Sequence, residues 1–257
     1  DGNGGKIIYL PEGTYNIDGT LEMNVDNTTL QGAGMWYTRI HFTSNVAQGG
    51  GLWGYKKANI YDMSLTTVRN SRTDSYKGIN GPFGNGSVVS RVWVEHFECG
   101  AWIANYNPNW GNGYADNLKV SYCRFRNNYA DGINLCKGTR NSVVEFCHFR
   151  NNGDDDMAVW PANNQECYNN IFRYNTAELG WRSASIALYG GRNNRWENIV
   201  VKDNYEAGIK VNNAFSGFCY ADGTTNEITG IDVIGCGVWE DIYRSPKGAI
   251  DLGVYTT

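Results

Sequence analysis

The sequence predicts an all-β protein, a single-stranded right-handed parallel β-helix filling residues 1–257 as one domain. Three observations predict it: a repeat of 24 residues, short apolar runs that alternate with period two, and Asn- and Gly-rich turns between the runs. The repeat is clearest at its centre. Cys123-Arg124-Phe125-Arg126-Asn127-Asn128 aligns without a gap on Cys147-His148-Phe149-Arg150-Asn151-Asn152, and the match continues to Leu135 and Val159. A third copy is placed at Phe172-Arg173-Tyr174-Asn175, ending after an insertion in Ile186-Ala187-Leu188. A fourth runs from Val201-Lys202-Asp203-Asn204 to Gly208-Ile209-Lys210-Val211. Weaker copies cover Val92-Trp93-Val94 with Gly100-Ala101-Trp102-Ile103, and Ile60-Tyr61-Asp62-Met63 with Gly78-Ile79.

Strands this short are not stable as isolated hairpins. Coiling them so that equivalent strands stack in parallel, about 4.8 Å apart, gives each one partners above and below. Residues 24 apart then lie over one another. Asn128, Asn152, Asn175 and Asn204 are read as one asparagine column at a turn, where Asn tolerates the left-handed conformation. Cys123 over Cys147 and Phe125 over Phe149 read as inner stacks, the two Cys as packed thiols rather than a disulfide.

Composition bounds the partners. With 22 Lys+Arg against 26 Asp+Glu the net charge is −4, and no basic stripe suggests nucleic acid. No apolar run approaches the ~18 residues of a membrane span. The 7 Cys form no Cys-x-x-Cys metal pattern. Aromatic residues at 14% suit a sugar-binding surface but also suit a plain β-rich fold.

The N-terminal stretch Gly4-Gly5-Lys6-Ile7-Ile8-Tyr9-Leu10-Pro11-Glu12-Gly13-Thr14-Tyr15 resembles the first coil of pectin-lyase-like β-helices, and Thr29-Leu30-Gln31-Gly32-Ala33-Gly34 resembles their second. That resemblance implies a capping helix ahead of the first coil, which this sequence lacks, so the N-terminal cap is expected to be missing. A solenoid end needs such a shield.

The densest polar cluster falls on two adjacent coils. Asp131 lies in Ala130-Asp131-Gly132-Ile133-Asn134, and Asp154, Asp155 and Asp156 follow Gly153. The shift of 24 puts Asp131 in register with Asp155 and Gly132 with Asp156. Strict alternation would turn Asp131 inward, so Gly132 is expected to reset the parity of the turn. Crowded carboxylates raise at least one pKa and keep a proton at hand. That suits glycoside hydrolysis, which uses one carboxylic acid and one carboxylate. Two other readings stay open at this level: Asp as a turn former, and a Ca²⁺ site built from several carboxylates.

The block from Asp131-Gly132-Ile133-Asn134 through Gly138, Asn141, Val144-Glu145 and Arg150-Asn151 to Gly153-Asp154-Asp155 resembles the catalytic block of glycoside hydrolase family 87, the α-1,3-glucanases and mycodextranases. The resemblance implies an inverting glycosidase with Asp131, Asp154 and Asp155 as its catalytic set. By likeness to polygalacturonases, which are also inverting β-helix enzymes, Asp154 is assigned as general acid, and Asp131 with Asp155 as the pair that holds and deprotonates water. The polygalacturonase pattern itself is incomplete: no Asn-Thr-Asp precedes Asp131, no Gly-His-Gly follows the pair, and Ser185-Ile186-Ala187-Leu188 fills that coil. Two departures from family 87 stand out, Asp156 in place of a small residue and a chain shorter than that family's catalytic domain.

Candidate substrate-binding residues are Asn134 beside Asp131, Asp156 as a fourth carboxylate, Trp160, Trp181, Arg182 and Lys210, which shares the register of Asn134. Each Trp could instead pack against a loop, and Lys210 could be solvated. The resemblance implies a neutral α-glucan as partner, most simply α-1,3-glucan cleaved internally by a secreted monomer. It implies no required cofactor, with a structural Ca²⁺ compatible. The alternatives are a uronide hydrolase, which needs basic residues beside the acids, a Ca²⁺-dependent lyase, and a non-catalytic carbohydrate-binding stalk.

Overall fold

The computed structural model describes residues 5–47, 50–104, 114–162, 165–213, 223–241 and 244–253. Among them are 25 strands, from β1 (Ile7–Leu10) to β25 (Ile250–Gly253), and no α-helix. All pairings are parallel except that of the two short strands β23 (Trp239–Glu240) and β24 (Ser245–Pro246). Among the described residues no helix is long and apolar enough to cross a membrane.

The chain coils as a solenoid with three walls. A 14-stranded sheet makes two of them, bending at the long strands β7 (Ala58–Thr67), β9 (Val88–Glu95) and β20 (Arg195–Lys202). The first part of β9 pairs with β11 (Lys119–Ser121), its last part with β12 (Arg124–Arg126). A nine-stranded sheet makes the third wall and includes β10 (Cys99–Ile103), β13 (Ile133–Cys136), β16 (Met157–Trp160), β19 (Ile186–Leu188) and β21 (Ile209–Asn212). Strands of three to five residues hold because every coil buries its inward side chains in one continuous core, from Met23 to Ile209.

Corners are turned by single left-handed residues stacked in columns. Asn117, Asn141, Asn169 and Asn193 form one, with φ of 55, 52, 56 and 53°. Tyr122, Phe146 and Tyr174 form another, at 56, 54 and 54°, their exposed rings stacked 5.1 and 5.2 Å apart.

The 24-residue period at the centre is observed directly: Phe125 pairs with Phe149, rings 5.3 Å apart, and Ile133 with Met157. The six described cysteines are free, Cys123 and Cys147 among them. The third copy, however, sits in a different register from the one read in the sequence. The partner of Phe149 is Ala177, while Phe172 pairs with Val144 and Trp196 on another wall. The coil lengthens here by four residues, from a spacing of 24 to one of 28 (Cys147 N to Asn175 Oδ1), and Phe-Arg-Tyr-Asn resembles Phe-Arg-Asn-Asn only in composition. Asn175 therefore leaves the asparagine column and caps the Cys147 N–H at 2.8 Å. The Asn128 Nδ2 donates to Asn152 Oδ1 at 3.0 Å, Gly180 interrupts that column and Asn204 resumes it. A second buried ladder, unforeseen, runs Asn170–Asn194–Asn226 at 3.0 and 3.1 Å.

Candidate active site

The site lies where the second wall turns into the nine-stranded wall, on its outer side. The paired column Trp102–Asn134–Ala158–Ala187–Lys210 faces away from the core, because its neighbours Ile133, Leu135, Met157 and Val159 fill the core. Just before this column each coil makes a tight turn. Gly132 takes the inward place in one of them: a Cβ there would meet Phe149 Cδ1 at 2.6 Å and Asp156 O at 2.7 Å. That lets Asp131 point outward beside Asn134, as the parity reset requires.

Asp131 and Asp155 are in register and linked. The Asp155 N–H donates to Asp131 Oδ1 at 3.2 Å, and Asn134 Nδ2 donates to Asp131 Oδ2 at 2.9 Å. Asp155 is held by three further donors: Ser183 Oγ at 2.6 Å and the Ala184 N–H at 3.2 Å to Oδ1, and Tyr189 Oη at 2.7 Å to Oδ2. A carboxylate has about four acceptor sites, so one site on Oδ2 is left for a water or substrate hydroxyl. Asp154 is more exposed and forms an ion pair with Arg72, which also donates to Tyr129 O and Gly153 O at 3.1 and 2.9 Å.

Carboxylate oxygens of Asp131, Asp154 and Asp155 lie within 4.8 Å of one another. Asp131 and Asp155 are only 5% and 3% exposed. Burial, then the charges of Asp154 and Asp155, push the Asp131 carboxyl well up. Burial and Asp154 push Asp155 up to about 6, against the opposing pull of Lys210, Ser183 and Tyr189. Such coupled groups share protons as a unit. Burial and the Asp155 charge likewise hold the Tyr189 phenol well above its ordinary range, so it stays a donor.

The structure brings together three of the four clustered carboxylates, not four. Asp156 turns into the core, fully buried, with Asn152 Nδ2 donating to its Oδ1 at 2.8 Å, so it cannot touch a bound sugar as the sequence reading expected. Burial pushes it up to about 7, with Asn152 and Ser185 opposing. Asn134 does stand beside Asp131, but its amide is engaged on both sides, donating to Asp131 and accepting from Cys136 Sγ at 2.9 Å. Lys210 has the expected register yet turns to Ser183 Oγ at 2.9 Å and to Glu206 at 3.8 Å. Trp160 lies on the outer face against Ala158, Ala187 and Tyr189, edge-on to Trp102 at 5.4 Å. Trp181 is 43% exposed and covers Gly153, where a Cβ would stand 2.1 Å from its ring, and Arg182 follows it, half-buried.

Sequence reasoning missed Arg72, Ser183 and Tyr189, and with them the Lys77–Glu98 ion pair one coil earlier, whose Lys77 Nζ lies 4.7 Å over Trp102. Ser183 and Tyr189 were reachable by extending the register one coil past Asp155. Arg72 stands on a loop 82 residues before its partner, and no spacing signals it.

A parallel β-helix with a buried, coupled carboxylate cluster on an outer wall defines the class: a pectin-lyase-like solenoid with an acid site. The chain belongs to the family described as alpha-1,3-glucanase catalytic domain D2, which matches residues 2–251. Among solved structures, the Agl-KA catalytic domain is 35% identical, with a TM-score of 0.90 over 96% of this chain and 45% of that one. The catalytic unit of the thermostable family 87 α-1,3-glucanase of Streptomyces thermodiastaticus strain HF3-3 is 27% identical, with a TM-score of 0.79 over 96% of this chain and 44% of that one. A family 87 α-1,3-glucanase catalytic domain in complex with nigerose is 26% identical, with a TM-score of 0.76 over 95% and 45%. Such domains are also solved as single aspartate-to-alanine variants with nigerose or tetrasaccharides bound. The chain thus spans a little under half the length of these structures. No curated protein matches it by sequence.

Proposed function

We propose that this chain is the catalytic β-helix of an inverting endo-glycosidase that cleaves α-1,3-glucan. The observation that carries the reading is the Asp131–Asp154–Asp155 cluster on the outer wall. Family membership supports it, as do the nigerose and tetrasaccharides bound by relatives. The three aspartates replaced in those variants have the sequence spacing of Asp131, Asp154 and Asp155.

In this reading burial keeps one proton in the cluster at neutral pH, resting on Asp131. That proton passes from Asp131 to Asp154, the most exposed of the three, which delivers it to the glycosidic oxygen as the bond to the anomeric carbon breaks. A water on the opposite face of the sugar attacks that carbon and gives its proton to the Asp131–Asp155 pair. One proton leaves the cluster and one returns. Arg72 holds Asp154 in place and supplies the positive charge in the cluster, so the reaction requires no metal. The substrate lies along the outer column, with Trp102 and Trp160 at its side. A polymer of that kind is met outside the cell, which fits a secreted monomer.

A second reading is favoured by one observation. Oxygens within 4.8 Å are closer than the separation of about 6.5–9.5 Å typical of inverting pairs and nearer the ~5–5.5 Å of retaining ones. The inverting reading is preferred because the two inner carboxylates are buried and tied by fixed donors, which suits holding water more than forming a covalent bond to carbon.

The test is reducing-sugar release from α-1,3-glucan, dextran and polygalacturonate by wild type and by Asp155→Asn. Release from α-1,3-glucan by wild type alone is expected. Release from polygalacturonate only, or from none, would overturn the reading.

A further inference from the structure

Lys210 is a cation that reaches the acid cluster without touching it. It stands on β21, two coils beyond Asp155, with its side chain 11% exposed and its neighbour Glu206 at 2%. Its Nζ donates to Ser183 Oγ at 2.9 Å, and Ser183 Oγ donates to Asp155 Oδ1 at 2.6 Å. Ser183 can donate to Asp155 because Lys210, having only donors, leaves its hydroxyl proton free to turn that way. Ser183 sits at a turn, with a φ of 59°. Glu206 balances the lysine, and Asn204 Nδ2 fixes the loop by donating to Ser183 O at 3.0 Å. A largely buried lysine, a serine and a carboxylate joined by two hydrogen bonds are more than a solvated surface charge.

We propose that Lys210 is a positioning residue for the base, acting through Ser183 to keep Asp155 ionised and fixed in orientation, and that it does not bind the sugar. This rests on the hydrolase reading above. The charged and titratable groups facing Asp155 are Asp131, Asp154 with Arg72 behind it, Tyr189, and Lys210 with Glu206 behind it; Glu98 with Lys77 faces the far side of Asp131, and Asp156 lies beneath. Among them Lys210 and Arg72 are the cations turned toward the cluster, and Arg72 belongs to Asp154. Removing Lys210 therefore leaves Asp155 with less to favour its charged form, and its protonation midpoint rises.

The experiment uses Lys210→Met, Lys210→Arg and Ser183→Ala, with thermal unfolding to check the fold. Two readouts are taken: the pH profile of kcat/KM on α-1,3-glucan, and the titration of the Asp155 side-chain carboxyl by ¹³C NMR of Asp-labelled protein, assigned with Asp155→Asn. Lys210→Met and Ser183→Ala should each move the Asp155 midpoint and the acid limb up by about one pH unit, a roughly tenfold loss on the acid side and little loss above the limb. Lys210→Arg should restore most of it. Ser183→Ala changes volume least and decides the matter if Lys210→Met does not fold. An Asp155 midpoint unmoved in the folded variants, or activity lost equally at every pH, would overturn the proposal. The NMR titration stands without turnover, so wild type inactive on glucan would sink the hydrolase reading while the midpoints still judge Lys210.

Discussion

The backbone N–H of Asp155 donates to Oδ1 of Asp131 at 3.2 Å, across one full coil of the solenoid. Two residues 24 apart are thereby fixed as one unit, and the parallel ladder rather than a flexible loop sets their spacing. The buried pair can share a proton only while both coils stay in register.

Replacing any of the three aspartates by Asn should preserve the coil and abolish most turnover. Asp131→Asn, Asp154→Asn and Asp155→Asn are each expected to lower kcat by about 10²–10⁴, the usual worth of general acid–base groups. Circular dichroism and initial rates on α-1,3-glucan check both halves of this expectation.

Arg72→Met removes the cation that holds Asp154. Without it, Asp154 loses its fixed orientation. The expected outcome is a kcat lower by about 10–100-fold, read from initial rates on α-1,3-glucan. An unchanged kcat would show that Arg72 serves the loop rather than the acid.

Asp156 gives a prediction for stability. Its carboxyl is pushed up to about 7, far above its unfolded value of about 3.9, so the folded protein binds more protons than the unfolded chain between those limits. Its contribution is complete below about pH 4 and is lost as pH rises through about 7. Asp156→Asn should flatten the fall of Tm between pH 4 and 7 and raise Tm at pH 8. Asp131 and Asp155 add slopes of the same sign, so the flattening is partial.

Turnover should survive EDTA followed by desalting, with less than a twofold change in rate at neutral pH. Loss of activity restored by Ca²⁺ would give the cluster a metal role in place of the one assigned to Arg72.

The coil and the heart of the site were legible because the central repeat is ungapped: Cys123 over Cys147 forces Asp131 over Asp155. What escaped did so for physical reasons. A four-residue lengthening broke the register at Asn175. Three adjacent aspartates look alike in sequence, but the turn sends Asp154 and Asp155 out and Asp156 into the core against Asn152. Lys210 was placed in the right column, yet a column does not say whether a long side chain meets ligand or, as here, a serine one coil back. Arg72 reaches Asp154 from a loop that belongs to no repeat.

The most direct measurement is ¹H NMR of the first product released from α-1,3-glucan, read before mutarotation. A water held by Asp131 and Asp155 attacks from the face opposite the leaving group, so the new reducing end should appear as the β-anomer. The α-anomer appearing first would mean that one of these carboxylates bonds to carbon, and would contradict the account.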